Sequence, residues 1–305
     1  MRIQSMAPQF AHSGLDAVIP LYKESQNALY PELCKTKRSN EYYYRSAQEG
    51  DLSQASPITE GRGITYQEFQ TPYMKDWTPL KYGVGFAVST EAEETDYYGV
   101  IAKKTKKMVQ SLEWAKNVDM ADFFNLATSS TFTGPDGVAL ASASHPIAGG
   151  TTSNIIVSGG TSNPALGYTA LESAWQQALT CLTYQGNYMP YMGPFNLWVA
   201  PAQAAFAERL LGTDGIAGTF NLDPSTVKKR FSKVVVNPYF SSTTAWAVRC
   251  SRDDEHGLVQ VLRRDNVSKS QYAIDFDADK FTLTAIWCKA IDDWRGYWYS
   301  SGLGV

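Results

Sequence analysis

Residues 123–150 have the sequence FFNLATSSTFTGPDGVALASASHPIAGG, and this stretch decides how the chain is divided. It begins as the end of a long helical pattern and reaches Gly134-Pro135-Asp136-Gly137, where proline and glycine stand at positions typical of a tight turn. Ser144-His145-Pro146 and the pair Gly149-Gly150 follow, with the composition of a connection. The stretch therefore separates a part built on one helix from a second structured part.

The helix before this stretch is the longest element that the sequence predicts. Thr90 and Glu93 form a capping box at its start, and the first turns are acidic, which suits the positive end of the helix dipole. Apolar residues then recur at helical spacing to about Ala127. We expect a helix of about 50 Å over 90–127, kinked or divided at Gly99.

Two segments that cannot form a core alone precede this helix. Residues 1–50 are polar and rich in tyrosine, and the pattern predicts an arm with a short helix at about 13–29. Residues 51–87 contain a predicted strand at 64–69 and strict alternation over 80–88, which indicates an extended hairpin. Because an isolated ribbon is marginal in water, this hairpin must rest on its own domain or on a neighbouring copy.

The chain after the turn has a mixed α/β pattern. Thr169 and Glu172 form a capping box at the start of one predicted helix, and Pro201 begins another that ends before Gly212. Strands are predicted at 195–200, 233–237, 245–249, 258–262, 281–290 and 294–299. We expect the last two strands to pair with each other.

The composition excludes several classes of protein. The 305 residues carry 27 Lys and Arg against 30 Asp and Glu, a net charge of −3 without a basic arm, so the chain is no condenser of nucleic acid. Four widely spaced cysteines predict free, buried thiols and no zinc ribbon or disulfide framework. No signal peptide or membrane-spanning run is evident, and we expect synthesis in the cytoplasm.

Residues that could carry chemistry are few. The three histidines are His12, His145 and His256, and none has a metal-binding spacing. Ser144-His145 suggests a hydrolase, but no G-x-S-x-G elbow accompanies the pair, so a turn is the favoured interpretation. Asp275, Asp277 and Asp279 resemble the start of a calcium loop without its glycine and its bidentate glutamate, which favours the polar face of a strand.

The opening stretch resembles the major head subunits of Mu-like tailed phages, in which T-G-x-D-G-x-A-L, S-x-S-H-P and a glycine pair follow a long helix. Further matching motifs, in chain order, are KYGVGF at 81–86, WVAP at 198–201, VVVNPY at 234–239, AW at 245–246, HGL at 256–258 and DWRG at 293–296. Together they cover most of residues 80–300. The first 80 residues match in character only.

The resemblance implies an α+β chain with the Hong Kong 97 phage capsid fold. Its expected parts are an N-terminal arm (1–50), an extended loop (51–87), a peripheral domain (88–164 and 273–305) with a spine helix at about 90–127, and a mixed α/β axial domain (165–272). A single chain leaves the arm and the loop without support. In a shell of this kind they would contact neighbouring subunits.

The function that the resemblance implies is that of a major capsid protein, with no catalytic role, cofactor or metal. Such subunits form pentamers and hexamers in a shell around double-stranded DNA. Expected partners are further copies, a separate scaffolding protein, a portal protein and a decoration protein, with weak contact to DNA and none to a membrane. The expected location is the virion, assembled in the host cytoplasm.

Two sets of residues are candidates for these contacts. Contacts between subunits are predicted on the extended loop, at Arg62, Tyr66, Phe69, Tyr73 and Trp77. The basic cluster that we consider is Lys103, Lys104, Lys106 and Lys107, which is either a solvated helix face or an inner surface that touches DNA or a scaffold.

Three other functions stay open at this point. An encapsulin-type shell has the same fold and encloses enzyme cargo, and the neighbouring genes would distinguish it from a phage shell. A soluble hydrolase would use His145, and replacing that residue would abolish its activity. The third alternative is another part of the virion, such as a tail protein.

Overall fold

A computed structural model describes residues 28–48, 50–52, 55, 57–58, 60, 63–64, 66, 71–94, 100–212 and 227–304. Its helices are α1 Thr90–Glu94, α2 Val100–Asn125, α3 Tyr168–Leu179 and α4 Pro201–Gly212, with short 3-10 helices at Tyr30–Glu32 and Ile274–Phe276. Its strands are β1 Lys35–Arg38, β2 Tyr44–Gln48, β3 Tyr73–Trp77, β4 Leu80–Ser89, β5 His145–Ile147, β6 Gly150–Thr152, β7 Val157–Ser158, β8 Thr161–Ser162, β9 Phe195–Val199, β10 Phe231–Val236, β11 Trp246–Cys250, β12 Leu258–Ala273, β13 Ala278–Ile291 and β14 Tyr297–Ser300. The helix predicted at 13–29 and Gly99 lie outside the described residues.

The first sheet has the strand order β1-β12-β13-β4. Strands β12 and β13 form a long antiparallel hairpin, β4 pairs antiparallel with β13, and β1 pairs parallel with β12. Helix α2 packs against this sheet. Its 26 residues span about 39 Å. The predicted long helix is thus present over these residues and ends at Asn125.

The second strand of the predicted extended hairpin lies in the first sheet. Of the partner strand predicted at 64–69, only Ile64 and Tyr66 are described, and they have no regular structure. Strand β4 pairs antiparallel with β13. The reason is the apolar face of β4, which finds aromatic partners on β13: Tyr82 stacks on Trp287 at 3.8 Å between centroids. The strands that flank the loop are instead β2 and β3, which pair antiparallel.

The second sheet has the order β10-β9-β11-β14 and contacts α4. The expected pair of terminal strands is therefore wrong, because β13 lies in the first sheet and β14 pairs with β11 in the second. Strand β12 also belongs to the first sheet, although it falls within the predicted axial segment. Short β14 is fully buried and supplies Trp298 to the aromatic core of the second sheet, which holds it there.

Helix α3 begins without the predicted capping box. Its N-cap is Gly167, whose carbonyl accepts the hydrogen bond of Leu171 N at 3.0 Å, so Thr169 already lies inside the helix. The backbone of an extended glycine closes this first turn, and no side-chain cap contributes.

All four cysteines are free and buried, as predicted. Burial raises the pKa of Cys34 and Cys288 to about 12, so both thiols stay protonated at neutral pH. Among the described helices, none combines the length and the apolar character needed to cross a membrane.

Candidate functional site

The opening motif folds into a polar junction beneath the end of α2. Gly134 N donates to Val138 O at 2.7 Å and closes the turn, in which Gly137 has a φ of 77°. Asp136 uses both carboxylate oxygens: Oδ1 accepts from Val138 N at 3.2 Å, and Oδ2 lies 2.7 Å from His145 Nδ1. The aspartate of the motif thus joins the turn to the histidine of the next motif.

His145 is completely buried in this junction. Its ring stacks on Trp294 at 4.1 Å, and its Nε2 lies 3.2 Å from Asn154 Oδ1. Asn154 Nδ2 in turn donates to Leu140 O and Tyr297 O. Both ring nitrogens therefore have partners in the chain, and neither partner is a serine. This geometry favours a structural role for His145 and not the hydrolase.

The motifs HGL and DWRG pack directly on each other. Asp292 N donates to Gly257 O at 2.7 Å. A Cβ at Gly257 would overlap the backbone of Asp293, and one at Gly296 would overlap the carbonyl oxygen of Glu255. Both motifs therefore need glycine because two backbone segments meet without room for a side chain.

His256 is a second buried histidine and belongs to the same junction. The guanidinium of Arg249 donates to its Nε2 at 2.8 Å and to Leu33 O at 3.1 Å. Burial, together with the positive charges of Arg249 and Lys35, lowers the pKa of His256 to about 2. The ring is therefore neutral in the folded protein, and the Arg249 guanidinium that contacts it links β11 to Leu33, two residues before β1.

Large apolar side chains are exposed at the end of the β12–β13 hairpin. Ile274 is 84% and Phe276 is 72% exposed, and Tyr272 is about half exposed. The hairpin end is nevertheless fixed, since Asp277 Oδ1 accepts from Thr90 Oγ1 at 2.8 Å and from the hydroxyl of Tyr272. We call residues 272–277 the hairpin tip.

The hairpin tip was not predicted from the sequence, because the alternating aspartates of the region suggested a calcium loop. The apolar residues between the aspartates could have indicated it. Tyr272, Ile274 and Phe276 alternate with them, which is unusual at a turn. The described residues contain no cluster that could hold a metal ion. Asp277 instead anchors the tip, as described above.

The predicted contact residues of the extended loop differ in whether they are exposed or packed against their own subunit. Arg62 and Phe69 lie outside the described residues. Tyr66 is 91% exposed. Tyr73 and Trp77 belong to β3 and contact their own subunit: Tyr73 meets Tyr184 edge-on at 5.9 Å, and Trp77 meets Phe132 at 5.9 Å and donates to Ser46 Oγ. Of the described members, Tyr66 alone stands clear of the subunit.

The four lysines of the basic cluster are all exposed near the start of α2. Lys103 and Lys107 share one face of the helix with Trp114 and Val118, which are also exposed. The outer face of α2 is thus basic at one end and apolar further along.

Solved structures with the same fold define the class of this protein. The capsid of the Cyanophage P-SCSP1u matches with a TM-score of 0.56 and 11% identity over 89% of this chain and 86% of that chain. A virus-like particle from Pyrococcus furiosus matches at 0.52 and 12% over 94% and 98%. The SrpI encapsulin complex from Synechococcus elongatus PCC 7942 matches at 0.53 and 9% over 90% and 87%. The fold is the Hong Kong 97 capsid fold, which confirms the predicted α+β fold class.

The sequence itself places the chain within this class. The family model described as phage capsid protein matches residues 73–300, and the chain belongs to that family. It is a shell-forming phage capsid protein. No curated protein matches the chain.

Proposed function

We propose that this protein is the major capsid subunit of a tailed phage, which assembles as pentamers and hexamers into an icosahedral shell around double-stranded DNA. The observation that carries the proposal is the exposed hairpin tip on a chain of the capsid family. The proposed location is the virion, with assembly in the host cytoplasm.

The hairpin tip supports contact between subunits on energetic grounds. Covering a side chain such as Ile274 or Phe276 stabilises by about 2 kcal/mol, and the single chain leaves both in water. The tip cannot fold back, because Asp277 and Thr90 tie it to the start of α1. A neighbouring copy is therefore the partner that we propose for it, and modest contacts of this kind add up over many subunits.

The extended loop has a firm base from which to reach a neighbour. Strands β2 and β3 pair over five residues each, and Arg45 holds Asp76 with two hydrogen bonds of 2.7 and 2.9 Å. Lys75 Nζ donates to Thr133 O at 2.7 Å and fastens β3 to the opening motif. We propose that the residues between β2 and β3, with Tyr66 among them, lie on the adjacent subunit.

The proposed contact with DNA is weak. The chain has a net charge of −3, and its basic cluster has four lysines, which supports only a salt-sensitive attraction to phosphates. Entry of DNA would then need a motor acting through a portal. The scaffolding, portal and decoration proteins are further proposed partners.

Electron microscopy of the expressed protein tests the assembly. We expect closed shells from the full chain, alone or with its scaffold, and folded subunits that do not close when residues 50–71 are replaced by a short Gly-Ser linker. This deletion keeps β2 and β3, so circular dichroism should match the full chain. Normal shells from the deletion would contradict the role of the loop.

An encapsulin-type shell is the second candidate, favoured by the match to the SrpI complex. Particles purified from the native host distinguish the two. A phage shell would contain DNA and a portal vertex, whereas an encapsulin would contain a protein cargo and no genome.

A further inference from the structure

A long part of the second half of the chain carries no charge. Residues 173–207 contain no Asp, Glu, Lys, Arg or His, although 19% of the whole chain is charged, a frequency at which a stretch of this length would contain several such residues. Part of the stretch is core, since β9 and one face of α3 are buried. The rest reaches the surface at a turn over 185–192 and on the outer face of α4. Depletion of charged residues is typical of the centres of protein–protein contacts.

The turn over 185–192 exposes large side chains to water. Tyr188 is 74%, Met192 is 67% and Met189 is 42% exposed. We call residues 185–192 the uncharged turn. Tyrosine and methionine are enriched where proteins meet, and the unbranched methionine side chain adapts its shape to what it touches.

The uncharged turn is held in place by its own subunit. Thr183 N donates to Asn187 O at 2.8 Å, and Met189 N donates to Cys181 O at 2.8 Å. Tyr191, between the two exposed methionines, turns inward and is buried. The exposed side chains therefore stand on an ordered backbone, and a contact made through them needs little further ordering of the chain.

The outer face of α4 is the second uncharged surface. Ala202, Ala205 and Phe206 are arranged on one side of the helix at a spacing of three and four residues. Phe206 is 41% exposed, and the guanidinium of Arg209 lies 5.9 Å from its ring. An aromatic ring beside two small residues, with arginine at its edge, suits a tyrosine ring as its partner.

These two surfaces lie at opposite ends of β9. The uncharged turn comes just before Phe195, where the strand begins, and α4 begins at Pro201, just after the strand ends at Val199. The five residues of β9 separate the two surfaces by about 17 Å, so one subunit cannot cover its own turn with its own α4. A second copy can, and two different patches that meet in this way make a head-to-tail contact, which closes into a ring.

We propose that the uncharged turn of one subunit packs on the outer face of α4 of the next copy, with Tyr188 against Phe206 and with Met189 and Met192 beside them. The inference rests on the proposed function, because it names one contact between the subunits of a shell. Rings of five and of six copies bring the two surfaces together at different angles. Methionine has three rotatable bonds, so the same side chains can pack in both kinds of ring.

Cross-linking of assembled full-length subunits tests the contact. The variant with Tyr188→Cys and Ala205→Cys adds two thiols at the surface, while the four native cysteines are free and buried. With a short bismaleimide, denaturing gels should show a ladder of linked subunits that ends at five and six copies. The matched control is Tyr42→Cys with Ala205→Cys, since Tyr42 is 71% exposed but lies outside the uncharged turn, and it should give no ladder. Intact shells without a ladder, or an equal ladder in the control, would overturn the proposal.

A second measurement does not depend on cross-linking. Tyr188→Ser with Met192→Ser should keep the circular dichroism of the subunit and raise the protein concentration needed for assembly by about tenfold, as expected for loss of an aromatic anchor. The control Gln185→Ser, on the same turn, should leave that concentration unchanged. If the double variant does not fold, the cross-linking result decides. Wild-type shells with both tests negative would reject this contact and leave the capsid function standing, whereas wild-type protein that forms no shell would reject that function itself.

Discussion

The close contact of the HGL and DWRG motifs gives a prediction with a built-in control. Gly296 and Gly137 have nearly the same positive φ, 79° and 77°. A Cβ at Gly137 meets nothing within 4 Å, whereas one at Gly296 would overlap the carbonyl oxygen of Glu255. Replacing each with alanine therefore imposes the same left-handed strain, and only Gly296→Ala adds a collision with backbone.

The expected losses follow from these two contributions. Gly137→Ala should lower the free energy of unfolding by about 1 kcal/mol, the cost of a left-handed alanine. Gly296→Ala should lower it by about 4 kcal/mol, because the strands and the Glu255 segment must also move apart. Urea unfolding of unassembled subunits, followed by tryptophan fluorescence, measures both. Equal losses in the two variants would show that the contact is not tight.

Three further predictions concern the tip, the second histidine and the lysines. The double substitution Ile274→Ser and Phe276→Ser should change subunit stability by under about 0.5 kcal/mol yet reduce shell formation seen by light scattering; unchanged assembly would contradict the proposed contact. Folding lowers the pKa of His256 from 6.5 to about 2, so below pH 6.5 the unfolded chain binds more protons than the folded chain. The stability that the neutral ring contributes is therefore present above pH 6.5 and falls as the pH drops. Urea midpoints should show a loss of about 2 kcal/mol from this group between about pH 7 and 5, and His256→Gln should lack it. The last prediction replaces four lysines with glutamine: Lys103, Lys104, Lys106 and Lys107. The melting temperature of the subunit should stay unchanged, and the salt dependence of DNA binding, measured by filter retention, should fall. An unchanged salt dependence would show that these lysines face solvent and do not contact DNA.

Local patterns predicted the elements better than their partners. The end of helix α2, the strand β9 and the helix that begins at Pro201 follow from periodicity and capping within a few residues. Strand pairing depends on contacts that are distant along the chain, and alternation in β4 does not say that Tyr82 will stack on Trp287. For the same reason the sheet of β14 was misassigned.

In the candidate site, too, local features were predicted and contacts between distant residues were not. The motif around Asp136 and His145 was recognised as a turn, but its hydrogen bonds to Asn154 and the stacking on Trp294 are visible only in three dimensions. The hairpin tip was overlooked because its apolar residues alternate with aspartates that attracted a metal interpretation.

Both sheets and α2 share one uninterrupted apolar cluster, which runs from Val109 through Trp287 to Trp198 and Trp246. A body packed in this way has low compressibility and no internal plane along which its halves could slide. In a closed shell of the proposed kind, five-fold and six-fold rings require different angles between neighbours. We therefore expect the differences in curvature to be absorbed at the hairpin tip and the residues between β2 and β3, while the body of every subunit keeps one shape.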